Sequence, residues 1–168
     1  MREEFERQLA LLNEELTTMG GLIESAIANA VKALDGDEHS INKAYDYEKS
    51  IDNKEREIES LCLKLLLTQQ PVASDLRLIS AALKMITDIE RVGDQSADIA
   101  DLNIRLIKKK QKWDLSDISE MARAATQMVN DAIDAYVNDD ENLARKVISS
   151  DDKIDELFVK TKDKIIDE

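Results

Sequence analysis

From Phe5 the apolar residues recur at Leu9, Leu12, Leu16, Met19 and Ile23, in alternating steps of four and three. A parallel stripe continues through Ile27, Val31 and Leu34. This is the period of one face of an α-helix, and it predicts a single helix to about Leu34. Gly20-Gly21 interrupts the stripe without throwing it out of phase. Each glycine costs about 1 kcal/mol against Ala in a helix interior, so the pair predicts a kink or a close crossing with another helix. Asp35-Gly36-Asp37 supplies the stop, and Ser40 is the expected N-cap of the next helix.

The second helix is predicted from about Ser40 to Gln69. On a heptad frame its core positions are Ile41, Glu48, Glu55, Cys62 and Gln69, together with Ala44, Ile51, Ile58 and Leu65. The third opens after Pro71, a favourable first-turn residue, with Ser74 and Asp75 as capping groups. Its core positions are Leu76, Leu83, Glu90, Ala97 and Ile104, together with Ile79, Ile86, Gly93, Ala100 and Ile107. Lys108-Lys109-Lys110 and Lys112 close it, where cations favour the helix dipole.

After Trp113 the pattern begins again. Asp114 or Ser116 is placed to cap a helix carrying Met121, Ala125, Met128, Ala132 and Ile133 to about Val137. At an offset of 102 residues, Ile27, Ala30, Val31, Ala33 and Leu34 face Val129, Ala132, Ile133, Ala135 and Tyr136. One residue further, Glu48, Ile51 and Asp52 align with Asp151, Ile154 and Asp155. The repeat predicts an all-α protein of tandem three-helix bundles: residues 1–112 form the first, and 113–168 the first two helices of a second. The third helix of that second unit is expected outside this stretch of sequence. A fragment is the simplest account, with a naturally short chain or completion by another chain as alternatives. Val147, Ile154, Phe158 and Ile165 are then expected to lie exposed and to favour self-association or partial disorder there.

Composition sharpens this picture. Only 4% of residues are aromatic, so the core is aliphatic, and four Gly and one Pro leave few turns for an architecture of short strands. One cysteine, Cys62, excludes an internal disulfide framework and fits a reducing compartment. No secretory leader opens the sequence, and no segment approaches the roughly 18–20 apolar residues of a membrane span, so a cytoplasmic protein is expected. The formal charge is −13. Nucleic-acid binders draw affinity from cations on phosphates, and the cations here are not gathered on one face. The 15 acids of residues 113–168 stand against only seven bases.

Most acids need no function beyond solvating a helix face. Glu48 and Glu90 differ, because both fall on apolar seams, where a carboxylate must be protonated, paired with a cation or bound to metal. Each begins a Glu-x-x-x-Asp pair, Glu48 with Asp52 and Glu90 with Asp94, and Asp98 and Asp101 extend the second group. Residues four apart share a helix face, and a short connection makes neighbouring helices antiparallel. The 23 residues from Glu48 to Pro71 nearly match the 19 from Pro71 to Glu90, so the two groups reach similar height. An all-carboxylate set suits hard cations such as magnesium, calcium, manganese or iron. The competing reading is an amphipathic bundle whose acids pair with Arg77, Arg91 or lysines. A di-iron carboxylate enzyme would need Glu-x-x-His pairs, and the one histidine, His39, lies in a turn signal.

Gln70-Pro71-Val72-Ala73-Ser74-Asp75-Leu76-Arg77, followed by Asp88-Ile89-Glu90-Arg91-Val92-Gly93-Asp94 and Ile99-Ala100, resembles the signature of the PhoU family of phosphate-transport accessory and regulatory proteins. Glu48-x-x-Ile51-Asp52 is similar to that family's acidic motif, and Asp151-x-x-Ile154-Asp155 to its second copy. The resemblance implies two three-helix bundles with metal clusters on the acidic motifs, the metal being iron, manganese or magnesium. It implies Glu48, Asp52, Glu90 and Asp94 as ligands of a first site, Asp98 and Asp101 as additional ligands, and Asp151 and Asp155 as half of a second. The implied role is a non-enzymatic negative regulator of the phosphate-starvation response. It would be a homo-oligomer at the inner face of the membrane, signalling between the ATPase subunit of a phosphate ABC transporter and a sensor histidine kinase. A metal-dependent enzyme and a plain structural bundle are the alternatives; no nucleophile or Gly-rich phosphate loop supports the former.

Overall fold

The computed structural model describes residues 2–68, 71–107 and 114–167. They form five helices: α1 (Arg2–Leu34), α2 (Glu38–Thr68), α3 (Ala73–Ile107), α4 (Ser116–Val137) and α5 (Glu141–Asp167). No strand occurs among the described residues. The expected all-α fold is therefore present, and α1, α2 and α3 pack on one another while α5 packs on α4 and α4 on α1.

One aliphatic core joins the first three helices. The α1 stripe supplies Phe5, Leu12, Leu16, Met19 and Ile23; α2 supplies Ile51, Ile58, Cys62 and Leu65; α3 supplies Ile79, Ala82, Ile86 and Ile89. A smaller cluster of Ala33, Ile41, Ala44 and Ala100 closes the end of the bundle near the α1–α2 turn. Cys62 is fully buried, and desolvation pushes its thiol up to about 11, so it behaves as a small core hydrophobe rather than a nucleophile. Leu76, expected on the core seam, is 45% exposed; it lies in the first turn of α3.

Helix ends follow local chemistry. Gly36 takes φ 97°, its N–H donating to the Ala33 carbonyl while the Asp37 N–H donates to that of Lys32. A left-handed residue here costs glycine nothing and satisfies carbonyls that α1 leaves unpaired. The cap of α2 is Asp37 rather than Ser40: its carboxylate accepts from the His39 N–H at 3.1 Å and the Ser40 hydroxyl at 2.6 Å. Those donors hold its carboxyl below the usual range. An acid serves better than a hydroxyl at the positive end of a helix. Asp75 caps α3 as expected, accepting from the Val72 N–H. Asp114 accepts from the Ser116 N–H at the start of α4. The Lys108–Lys112 run, Trp113 and Gln69 lie outside the described residues.

Gly20-Gly21 does not break α1. A Cβ built on Gly20 would lie 2.8 Å from Ile133 Cδ1, so this glycine is where α4 crosses α1. Ile133 is buried within the core of the first three helices, with Val129, Tyr136 and Val137 packed beside it. The Tyr136 hydroxyl donates to the Leu78 carbonyl of α3 at 3.0 Å. Gly21 is exposed and meets nothing within 4 Å. Gly21→Ala is therefore expected to stabilise the protein by about 1 kcal/mol through helix propensity alone. Thermal unfolding would register this as a rise of roughly 2–4 °C, and a fall would show that Gly21 has a role its surroundings do not reveal.

The α4–α5 hairpin is tied at its open end by charge. Lys160 and Lys164 reach the Asp117 carboxylate at 3.0 and 3.2 Å, and Lys164 also reaches Asp114 at 2.7 Å. Phe158, Ile165 and Ile166 remain exposed along α5, while Val147 and Ile154 are half-buried.

Candidate metal centre

The apolar seam between α2 and α3 carries the acids that the heptad frame singles out. On α2, Glu48 and Asp52 stand one turn apart on the side of Ile51, whose side chain is 1% exposed. Burial of Ile51 fixes the rotation of α2, and that rotation turns the two carboxylates toward α3. On α3, Ile86 and Ile89 fix the helix in the same way and carry Asp94 to the facing position.

Oxygens of Glu48, Asp52 and Asp94 lie within 4.8 Å of one another, with Glu48 and Asp52 half-buried and Asp94 exposed. Hard cations hold oxygen ligands at about 2.0–2.6 Å, so three oxygens this close span a single ion. The electrostatics agree. Glu48 is held above the ordinary carboxyl range by partial burial first, then by the negative charges of Asp52 and Asp94, with Lys49 opposing. Glu90 is raised in the same sense by burial, then by the negative charges of Asp94, Glu55 and Asp52. A cation would relieve this mutual repulsion. The protein cation seen on the cluster, Arg56, approaches Asp52 only to 3.5 Å from a side chain that is 69% exposed, a weak pairing. Arg91 turns instead to Asp88, at 3.6 Å.

The eight sequence-derived acids thus divide. Glu48, Asp52 and Asp94 converge, and Glu90 stands near enough to Asp94 to feel its charge without entering the group. Asp98 and Asp101 lie further along α3, where Asp101 accepts a hydrogen bond from the Tyr45 hydroxyl. That hydrogen bond first, then burial and the charges of Asp101 and Asp98, raises the Tyr45 phenol. Asp151 and Asp155 are exposed on α5 and belong to no group of three ligand-type residues among the described residues. Two participants come from the structure. Tyr45 engages the far end of the acidic row, and Glu55 faces Glu90 across the helix pair. Glu55 was visible in the sequence as the next heptad position after Glu48.

These features define an all-α helical-bundle protein with an oxygen-donor cluster on the seam of two antiparallel helices. Comparison with known proteins makes the class specific. The family model described as "PhoU domain" matches residues 16–102 and 118–168, and the chain belongs to the PhoU family. It is 36% identical over 159 residues to the "Phosphate-specific transport system accessory protein PhoU homolog" of Clostridium acetobutylicum, covering 94% of this chain and 73% of that protein. With the homolog of the same name from Aquifex aeolicus it shares 33% identity over 155 residues, 90% of this chain and 69% of the relative. The crystal structure of PhoU from Pseudomonas aeruginosa superposes with a TM-score of 0.88 at 29% identity, covering 96% of this chain and 78% of that one. The phosphate transport system regulatory protein PhoU from Streptococcus pneumoniae gives 0.86 at 25%, with coverage of 96% and 77%.

Proposed function

We propose that this protein regulates phosphate uptake and the phosphate-starvation response, as a cytoplasmic adaptor between the ATPase subunit of a phosphate ABC transporter and a sensor histidine kinase. The observation that carries the reading is the family membership together with the names of its relatives, which are phosphate-transport accessory and regulatory proteins. No helix among the described residues is long and apolar enough to cross a membrane, which fits contact with a transporter through protein surfaces.

The carboxylates of Glu48, Asp52 and Asp94 would hold a divalent or trivalent cation, with Glu90 beside Asp94; iron, manganese and magnesium all suit oxygen donors. The cation would supply positive charge on the seam, stiffening the α2–α3 pair against the repulsion of its own acids. The chain's residues do the rest: Ile51 and Ile86 hold the two helices in register, and Arg56 tempers the cluster from solvent. The organisation into units of 1–112 and 113–168 belongs to the same reading, the second seated on the first through α4. Exposed Phe158, Ile165 and Ile166 support self-association through α5.

Deletion of the gene is expected to derepress a phosphate-starvation reporter in phosphate-replete medium, and complementation to restore repression. An unchanged reporter in the deletion strain would remove the regulatory role and leave a structural or metal-storing bundle.

A further inference from the structure

Between the two halves of the acidic cluster Gly93 of α3 lies directly against Ile51 of α2. A Cβ built on Gly93 of α3 would lie 3.0 Å from Ile51 Cδ1, 3.2 Å from Cγ2 and 3.5 Å from Cβ. Gly93 directly precedes Asp94, and Ile51 directly precedes Asp52. We propose that Gly93 is the positioning residue of the cluster: its missing side chain sets how closely α3 lies on α2, and so whether Asp94 shares one cation with Glu48 and Asp52. The functional half of this proposal rests on the cation-binding reading above.

The atoms in the way decide the argument. Ile51 is 1% exposed and sits in the main core. A β-branched side chain in a helix has essentially one χ1 rotamer, so its Cγ2 and Cβ cannot swing aside. Carbon pairs are comfortable at about 3.5–4.0 Å, and with Cγ2 held at 3.2 Å a methyl on residue 93 moves α3 from α2 by about a few tenths of an ångström. Gly20 is the instructive contrast. Its nearest neighbour is the Cδ1 tip of Ile133, which can rotate, and Gly21 has no neighbour at all. Gly93 thus occupies a helix interior, where glycine disfavours the helix by about 1 kcal/mol against Ala, at the one α2–α3 contact that a side chain would wedge open beside the carboxylates.

A metal site tolerates deviations of about 0.2 Å in ligand distance, so a few tenths of an ångström at one of three ligands is felt. Loss of such support around a site commonly weakens binding by about 10–100-fold. The test compares wild type, Gly93→Ala, Gly93→Ala/Ile51→Val and the control Gly21→Ala. Two readouts are taken: manganese(II) affinity, by titration followed by electron paramagnetic resonance, and crystal structures of the metal-free proteins superposed on α1 and α2. The expected result is α3 displaced away from Ile51 in Gly93→Ala, manganese affinity lowered about tenfold, both returned only in part by Ile51→Val, which removes the 3.0 Å Cδ1 contact and leaves Cγ2, and neither altered in Gly21→Ala. Should Gly93→Ala fail to fold, the double variant against Ile51→Val alone carries the same comparison. An undisplaced α3 overturns the spacer. A displaced α3 with unchanged manganese affinity overturns its role at the cluster. Absence of manganese binding in wild type would instead sink the cation reading, and the metal-free structures would still decide the spacer.

Discussion

Manganese(II) is expected to raise the unfolding temperature of the wild-type protein and to leave that of Glu48→Gln/Asp94→Asn unmoved. A ligand that binds only the native state stabilises it by RT ln(1 + [L]/Kd), about 2.7 kcal/mol when its concentration is 100 times Kd. For a chain of this size that is a rise of roughly 5–10 °C. The variant removes two of the three converging carboxylates and leaves Asp52 alone, against the several oxygen ligands a hard cation takes.

Without metal the order reverses. Glu48 and Glu90 are both raised in the folded state, by burial and then by neighbouring carboxylates. A raised carboxyl binds its proton more tightly in the native than in the unfolded chain, so it contributes stability at acid pH. That contribution is lost as pH climbs from the ordinary carboxyl range through the raised folded value. Depressed carboxyls such as Asp37 and Asp117 act in the opposite sense, so the loss is read as the difference between metal-free wild type and the double variant across that window. The double variant, with like charges removed, should lose less and sit about 0.5 kcal/mol higher at neutral pH. Thermal melts between pH 4 and 8, with and without manganese chloride, read both halves. A metal-induced rise of equal size in wild type and variant would place the cation elsewhere, and a metal-free difference between wild type and variant that does not fall with pH would mean the cluster's repulsion is not felt.

The sequence period located the core with good accuracy where a helix has neighbours on both sides. Ile51, Ile58, Cys62, Leu65, Ile79 and Ile86 all stand on predicted seam positions and are all buried. Leu76 shares the frame but not the burial, because a period describes a face and not how far along that face the partner extends. The acids were legible for a related reason. A carboxylate on an apolar seam violates the pattern, and such violations mark sites. Which of them converge depends on interhelical distance, which periodicity does not contain; Asp98 and Asp101 share the spacing of Asp94 along α3, yet Asp101 pairs with Tyr45. The seat of α4 on α1 was hidden most completely. Ile133 sits on a stripe that reads equally well as the core of its own unit, and only the tertiary arrangement shows it entering the core of α1, α2 and α3. The one sequence hint was Gly20-Gly21, which signalled a crossing without naming the helix that crosses.

Ile133→Ala should be among the most destabilising single changes outside the first three helices, at about 2–5 kcal/mol. Truncating a buried Ile forfeits its transfer free energy and leaves a cavity that the surroundings only partly fill. Ile133 is 2% exposed and packs at the Gly20 crossing, so the loss falls on the joint between α4 and the first bundle as well as on the core. Phe158→Ala, on the same hairpin but at a side chain 57% exposed, should change monomer stability by less than about 1 kcal/mol. Chemical denaturation supplies the magnitudes, and amide hydrogen exchange locates them: in Ile133→Ala the amides of 116–137 should lose protection before those of α1. The crossing also offers an internal check. A Cβ at residue 20 points to within 2.8 Å of the Cδ1 atom that Ile133→Ala removes. Adding Gly20→Ala should therefore return part of the lost stability by filling the vacated space, beyond the roughly 1 kcal/mol of helix propensity that Gly21→Ala measures separately. If Gly20→Ala adds no more to Ile133→Ala than Gly21→Ala does, the two residues are not coupled and α4 is held to α1 by other contacts.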